Sequence, residues 1–261
     1  MGISNENTAA HHLHTLLKSV RDSGEQTLRG AWCKVLDADM DSSEFARRHS
    51  EVVMLLQMTI RQLNSLPERS RLRCERYVAD WWTVVVQPIH NWGDHTRTPQ
   101  SLFPQDKLDH LESAADLISG NLIGSGAAPR SADLDEMAMR CNEWIDLLTA
   151  MSDAEIDGPV RDALISQVRH LLWLIENATM FGGARVAEEA STVIGSLTQA
   201  SATLANVQPN HASRWKKMLL GLIAACVVFN QAAPVLQGSI TAGEELVKEI
   251  TAVANDFGSD E

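Results

Sequence analysis

Apolar side chains recur three and four positions apart along almost the whole chain, and glycine and proline gather between these runs. No sustained alternation of apolar and polar residues interrupts the pattern. A repeat near 3.6 residues places one stripe of each segment against a core, whereas a strand needs a period of two. The sequence therefore specifies an all-α fold, a multi-helix bundle of about eight or nine helices with a C-terminal apolar helix or helical hairpin.

The first helix is expected over 8–36, with Leu13, Leu16, Leu17, Val20, Leu28, Trp32, Val35 and Leu36 on one stripe and Gly24 carried inside it. A second opens at Asp41, with Glu44 as its capping partner, and buries Phe45, Val52, Leu56, Leu63 and Leu66. Pro67 suits the first turn of a third helix through Val86, with Leu72, Tyr77, Trp81 and Val84 or Val85 inward. After Pro88 come the loop PIHNWGDHTRTPQSLFP and a fourth helix to about Leu122, with Leu108, Leu111, Ala115, Ile118 and Leu122 inward.

The segment GSGAAPRS, 124–131, has the small residues and breakers of a linker. Beyond it, Leu134, Met137, Cys141, Trp144, Ile145 and Leu148 mark a fifth helix. Ser152 and Glu155 have the spacing of a capping box and open a sixth helix, which Gly182 and Gly183 end; a seventh covers about 184–205. The expected organisation is an N-terminal helical bundle at 1–123, a second helical segment at 132–207 packed on it, and an apolar hairpin at 213–257.

That hairpin begins with MLLGLIAACVVFNQAAPVLQG, Met218–Gly238. Its first 19 residues have a mean hydropathy of roughly 2, enough to suggest a membrane segment built on Met218, Leu219, Leu220, Leu222, Ile223, Val227, Val228 and Phe229. Arg214, Trp215, Lys216 and Lys217 form a cationic and aromatic border of the kind found at a lipid interface. Gly221 and Ala225 add a small-residue spacing that permits close helix approach. Against a full span, the uninterrupted apolar part is Met218–Phe229, about 18 Å of helix against a hydrocarbon core of about 30 Å. Beyond it, Ile240, Leu246, Val247, Ile250, Val253, Ala254 and Phe257 make an amphipathic stripe that needs a partner.

The net charge is −12, of which residues 1–130 carry −2 and residues 131–261 carry −10. Duplex DNA is excluded as a partner, since its binding leans on many Lys and Arg contacts to phosphate. One local exception is PERSRLRCERYVADWW, where Arg69, Arg73 and Arg76 share a helix face, with Trp81 and Trp82 a turn further on. That face suits an anionic partner, because the guanidinium fork matches carboxylate or phosphate. Its plainer reading is a solvated face with Glu68 and Glu75 as local counter-ions.

Cys33, Cys74, Cys141 and Cys226 lie far apart within apolar helical patterns and read as buried reduced thiols. No apolar run follows Met1, so a secretory leader is not expected. Phosphate-loop, nucleophile-elbow and HExxH patterns are all absent, and no histidine follows a glutamate at the spacing of a di-iron bundle. His11 and His14 share a face but find no third ligand in sequence, so neither a metal nor another cofactor is expected. His90, Asp94 and His95, in the loop beside Trp92, are the one cluster placed where ligand sites tend to form.

The expectation is a non-enzymatic helical protein with a membrane-anchoring or membrane-inserting C-terminal segment, acting as a regulated membrane-active effector. It would be cytoplasmic, and membrane-associated or single-pass with its N-terminal body inside. The alternative is a soluble all-helical scaffold or adaptor whose apolar C-terminal segment is its core or a homo-oligomer interface.

Overall fold

The computed structural model describes residues 8–86, 93–121, 131–204 and 207–229. Thr8 opens α1 (Ala9–Arg21): its hydroxyl accepts a hydrogen bond from the His11 amide at 3.3 Å, satisfying one of the free N–H groups of the first turn. A second cap follows at Thr27, which accepts from the Gly30 amide at 3.1 Å and starts α2 (Leu28–Leu36). The single helix expected over 8–36 is therefore two. Gly24 takes φ +78°, a left-handed conformation that cannot continue a right-handed helix.

Ser42, and not Asp41, caps α3 (Ser43–Leu63) by accepting from the Phe45 amide at 3.0 Å. Asp41 instead pairs with Arg29 at 3.2 Å. The helix expected from Pro67 to Val86 also divides, into α4 (Glu68–Glu75) and α5 (Val78–Val86). At the break the Tyr77 amide bonds to the Cys74 carbonyl three residues back, a tighter turn that re-phases the stripe. Trp81, Val84 and Val85 of α5 are buried, whereas α4 buries Cys74 alone and leaves Leu72, expected inward, 49% exposed.

The remaining helices are α6 (Pro99–Leu102), α7 (Gln105–Asn121), α8 (Ser131–Ala150), α9 (Gly158–Glu176), α10 (Ala178–Ser201) and α11 (Pro209–Phe229). Among the described residues there is no strand, so the all-α class holds. The helix expected to start at the Ser152–Glu155 box begins instead at Gly158, with Pro159 in its first turn. It ends at Glu176, and α10 runs through a kink at Gly182, where φ is +82°.

Packing divides the chain into two units, one of Met1–Gly126 with Thr179–Arg185 and one of Ala127–Ala178 with Val186–Glu261. In the first, α1 packs against α7, α3 and α2, and α5 against α3. Two tryptophans in its core keep their indole N–H groups bonded: Trp32 donates to the Val84 carbonyl at 3.2 Å and Trp81 to the Lys107 carbonyl at 3.3 Å. Residues 179–185 bring Phe181 and Arg185 into this unit, both buried.

In the second unit α8 packs against both α9 and α11. The α8 stripe of Met137, Cys141, Trp144, Leu147 and Leu148 is buried, as are Leu164, Val168, Leu171 and Leu174 of α9. On α11, Trp215, Met218, Leu219, Leu222, Ile223, Ala225 and Cys226 are buried, while Lys217, Leu220 and Ala224 are exposed. Through Cys226, a tract whose composition is apolar on every side is thus used as a one-faced helix. No helix among the described residues is long and apolar enough to cross a membrane. The expected second arm of the hairpin, 230–257, lies outside the described residues, as do the side chains of Val227, Val228 and Phe229.

Candidate functional site

Where α11 meets α8, the rings of Trp144 and Trp215 stand edge to face, 4.8 Å between centroids and 88° between planes. Six residues further along α11, Gly221 lies under the Arg140 side chain, with space at its Cβ position for ordinary contact with the guanidinium. Arg140 is itself paired with Glu143 at 3.2 Å and Glu136 at 3.3 Å. Burial pushes the Cys141 and Cys226 thiols up to about 12, which leaves them uncharged and unreactive. Trp215, expected at a lipid border, is therefore a buried packing residue. Lys216 and Arg214 are half-buried and Lys217 is exposed.

The α8–α9 turn supplies a polar clasp for the start of this helix. Glu155 accepts from the Ser152 amide and hydroxyl, both at 3.0 Å, which is the capping-box bond anticipated from the spacing. Its other oxygen accepts from the Gln208 amide at 3.1 Å and from His211 Nδ1 at 2.8 Å. The Ser152 amide, the Gln208 amide and His211 together hold this carboxyl at about 2, well below its ordinary range. The second half of this arrangement has no local signal, because Gln208 and His211 lie more than fifty residues beyond Glu155 in sequence.

A buried ion pair forms in the first unit. Arg185 Nε donates to Glu51 Oε2 at 2.6 Å, with the two side chains 4% and 5% exposed. Nearby in that unit, the His12 ring occupies the space where a side chain at Gly182 would project. Burial, with a smaller contribution from His11, lowers the His12 pKa, and burial likewise lowers that of His49 beside Trp32 and Phe45. Glu51 and Arg185 escaped the sequence reading because they lie 134 positions apart, each inside an ordinary helical pattern.

The histidine candidates are engaged locally. His11 meets the Thr8 hydroxyl at 2.9 Å and Asp116 at 3.4 Å, and no group of three metal-ligating side chains occurs among the described residues. In the loop, Asp94 accepts from the Thr96 amide and hydroxyl at 2.8 and 2.6 Å, closing a tight turn. His95 is exposed, and His90 lies outside the described residues. An open cleft of about 550 Å³ is lined by Arg29, Cys33, Asp39, Met40, Asp41 and Ser42.

Arg69 and Arg73 of α4, and Arg76 at its C-cap, are exposed. Neither tryptophan expected beside them extends that face as a pair, for Trp81 is buried and Trp82 alone is 39% exposed. Of the expected counter-ions, Glu75 is taken by Arg71 at 3.2 Å. No family model, curated protein or solved structure matches the chain.

Proposed function

We propose that the chain is a non-enzymatic helical scaffold or adaptor in which the apolar segment beginning at Met218 is a packing helix of the second unit. The observation that carries this reading is the burial of Trp215, Met218, Leu219, Leu222, Ile223 and Cys226 on the side of α11 that packs on α8. Fully burying side chains of this size stabilises a fold by about 1.5–3 kcal/mol each, so lipid must replace the whole face to extract the helix. The non-enzymatic part draws on how the perturbed groups are used. Glu155 is saturated by donors, Glu51 holds Arg185, and Cys141 and Cys226 are buried thiols.

Flotation of the full chain with anionic vesicles tests the reading. The chain is expected to stay in the aqueous fraction, and Ala225→Arg, at a position 8% exposed, to destabilise it by several kcal/mol. A chain that floats with vesicles, and loses that property in Ala225→Arg while keeping its helical content and stability, overturns it.

That opposite outcome belongs to a second reading, in which α11 lies in a lipid interface. It is favoured by the exposed strip Lys217, Leu220 and Ala224, where a cation precedes apolar positions on the outward side.

A further inference from the structure

We infer that the exposed face formed by Arg69, Leu72 and Arg73 of α4, with Arg76 at its C-cap, is a docking surface for an acidic amphipathic helix of a protein partner. This names a partner class for the adaptor reading, on which it rests. The four residues occupy positions i, i+3, i+4 and i+7, and so fall within about a third of the helix circumference and about 10 Å of its length. Opposite them is Cys74, the one buried residue of α4. The helix therefore contributes little to the core of its unit and turns most of its surface outward.

Charge makes this face unusual in the chain. Within a net charge of −12, Arg48, Arg140, Arg161 and Arg185 each sit on a carboxylate. Arg69, Arg73 and Arg76 make no hydrogen bond or ion pair among the described residues, and Leu72 stands 49% exposed between them. Glu68, on the flank, is the one acidic side chain of α4 left without a partner among the described residues. Three uncommitted guanidinium forks around a single aliphatic side chain match carboxylates on successive turns of a second helix, with an apolar residue between them.

Nucleic acid fits less well. Single strands bind on successive exposed aromatic platforms, whereas here Tyr77 is stacked on His110 at 3.7 Å between centroids, Trp81 is buried and Trp82 alone is partly exposed. A lipid surface would find only Leu72 to receive on this face. The contact area of an eight-residue helix is small, so the interaction is of the weak, salt-sensitive kind.

The test is fluorescence anisotropy of a labelled helical peptide carrying Glu at the three matching positions and Leu between them, titrated with the full chain. Saturable binding that weakens with salt is expected. Replacing all three arginines by Gln should weaken it about tenfold, and Leu72→Ala severalfold, with unfolding temperature unchanged because these side chains are exposed. A Lys-substituted peptide should regain binding to the Arg73→Glu, Arg76→Glu variant. Absence of peptide binding, or binding indifferent to the Gln variant, overturns the inference. So does tighter binding of a single-stranded RNA that is lost in Trp82→Ala, or arginine-dependent binding to anionic vesicles without peptide binding. Vesicle flotation through α11 would remove the adaptor reading and leave the peptide curve intact, so the two failures are separable.

Discussion

The Glu51–Arg185 pair offers the sharpest stability prediction, because its partners come from distant parts of the sequence and both are almost fully withdrawn from water. Arg185→Met keeps most of the aliphatic stem and removes the guanidinium. At a charge separation of about 4 Å and an effective dielectric constant of about 20, the attraction is about 4 kcal/mol, set against the cost of dehydrating both ions. Removing one partner leaves the Glu51 carboxylate buried without its 2.6 Å donor, and should cost about 3–5 kcal/mol. Against a typical total of about 5–15 kcal/mol, that loss is large. Glu51→Met should behave alike, and the double variant should be more stable than either single one. Urea unfolding, followed by hydrogen exchange in α3 so that the first unit is read separately, measures all four proteins. Single variants within about 0.5 kcal/mol of the parent, or a double variant as poor as the sum of the singles, would refute the reasoning.

Two glycines should respond oppositely to alanine. Gly182→Ala forces a side chain into φ +82° and into the His12 ring, and should cost about 2 kcal/mol or more, whereas Gly221→Ala meets only ordinary contacts with Arg140 and should gain up to about 1 kcal/mol in thermal unfolding. Because the Glu155 carboxyl is held at about 2 against an ordinary 4.5, its contribution is complete above about pH 4.5 and is lost as pH falls toward 2. Glu155→Gln should abolish that part of the acid dependence and loosen the start of α11, read as faster amide exchange near Gln208 and His211. His12 and His49 titrate below their ordinary 6.5, so the unfolded chain takes up protons first and stability falls as pH drops below 6.5. Ring NMR titration with a midpoint at or above 6.5 for either histidine contradicts this.

The helical class was legible in the sequence because periodicity is local, and the inward positions Leu13, Trp32, Val52, Leu111 and Cys141 are buried. Boundaries were less legible. Asp41 and Ser42 are both competent caps, and the Phe45 amide donates to Ser42. Leu72 satisfies the apolar spacing of one long helix, but the turn at Arg76–Tyr77 shifts its phase and leaves it outside. The arginine face was visible because its residues are neighbours on one helix, while Glu155–His211 and Glu51–Arg185 join positions that only tertiary packing can bring together. Hydropathy does not register the one-sided burial of α11. It averages over all sides of a helix, whereas α8 covers one side and leaves Leu220 and Ala224 outside.

Thiol labelling tests the packed state of α11 most directly, since Cys226 is fully buried on its described stripe and Cys33, half-exposed on α2, serves as an internal control. The full chain, with anionic vesicles present, is treated with a water-soluble maleimide and the labelled peptides are quantified over time. Cys33 should react promptly, and Cys226 and Cys141 only at the rate of unfolding. Labelling of Cys226 as fast as Cys33 in a chain that remains helical, or withdrawal of Cys226 into the vesicle fraction, would show that the helix is not held on α8.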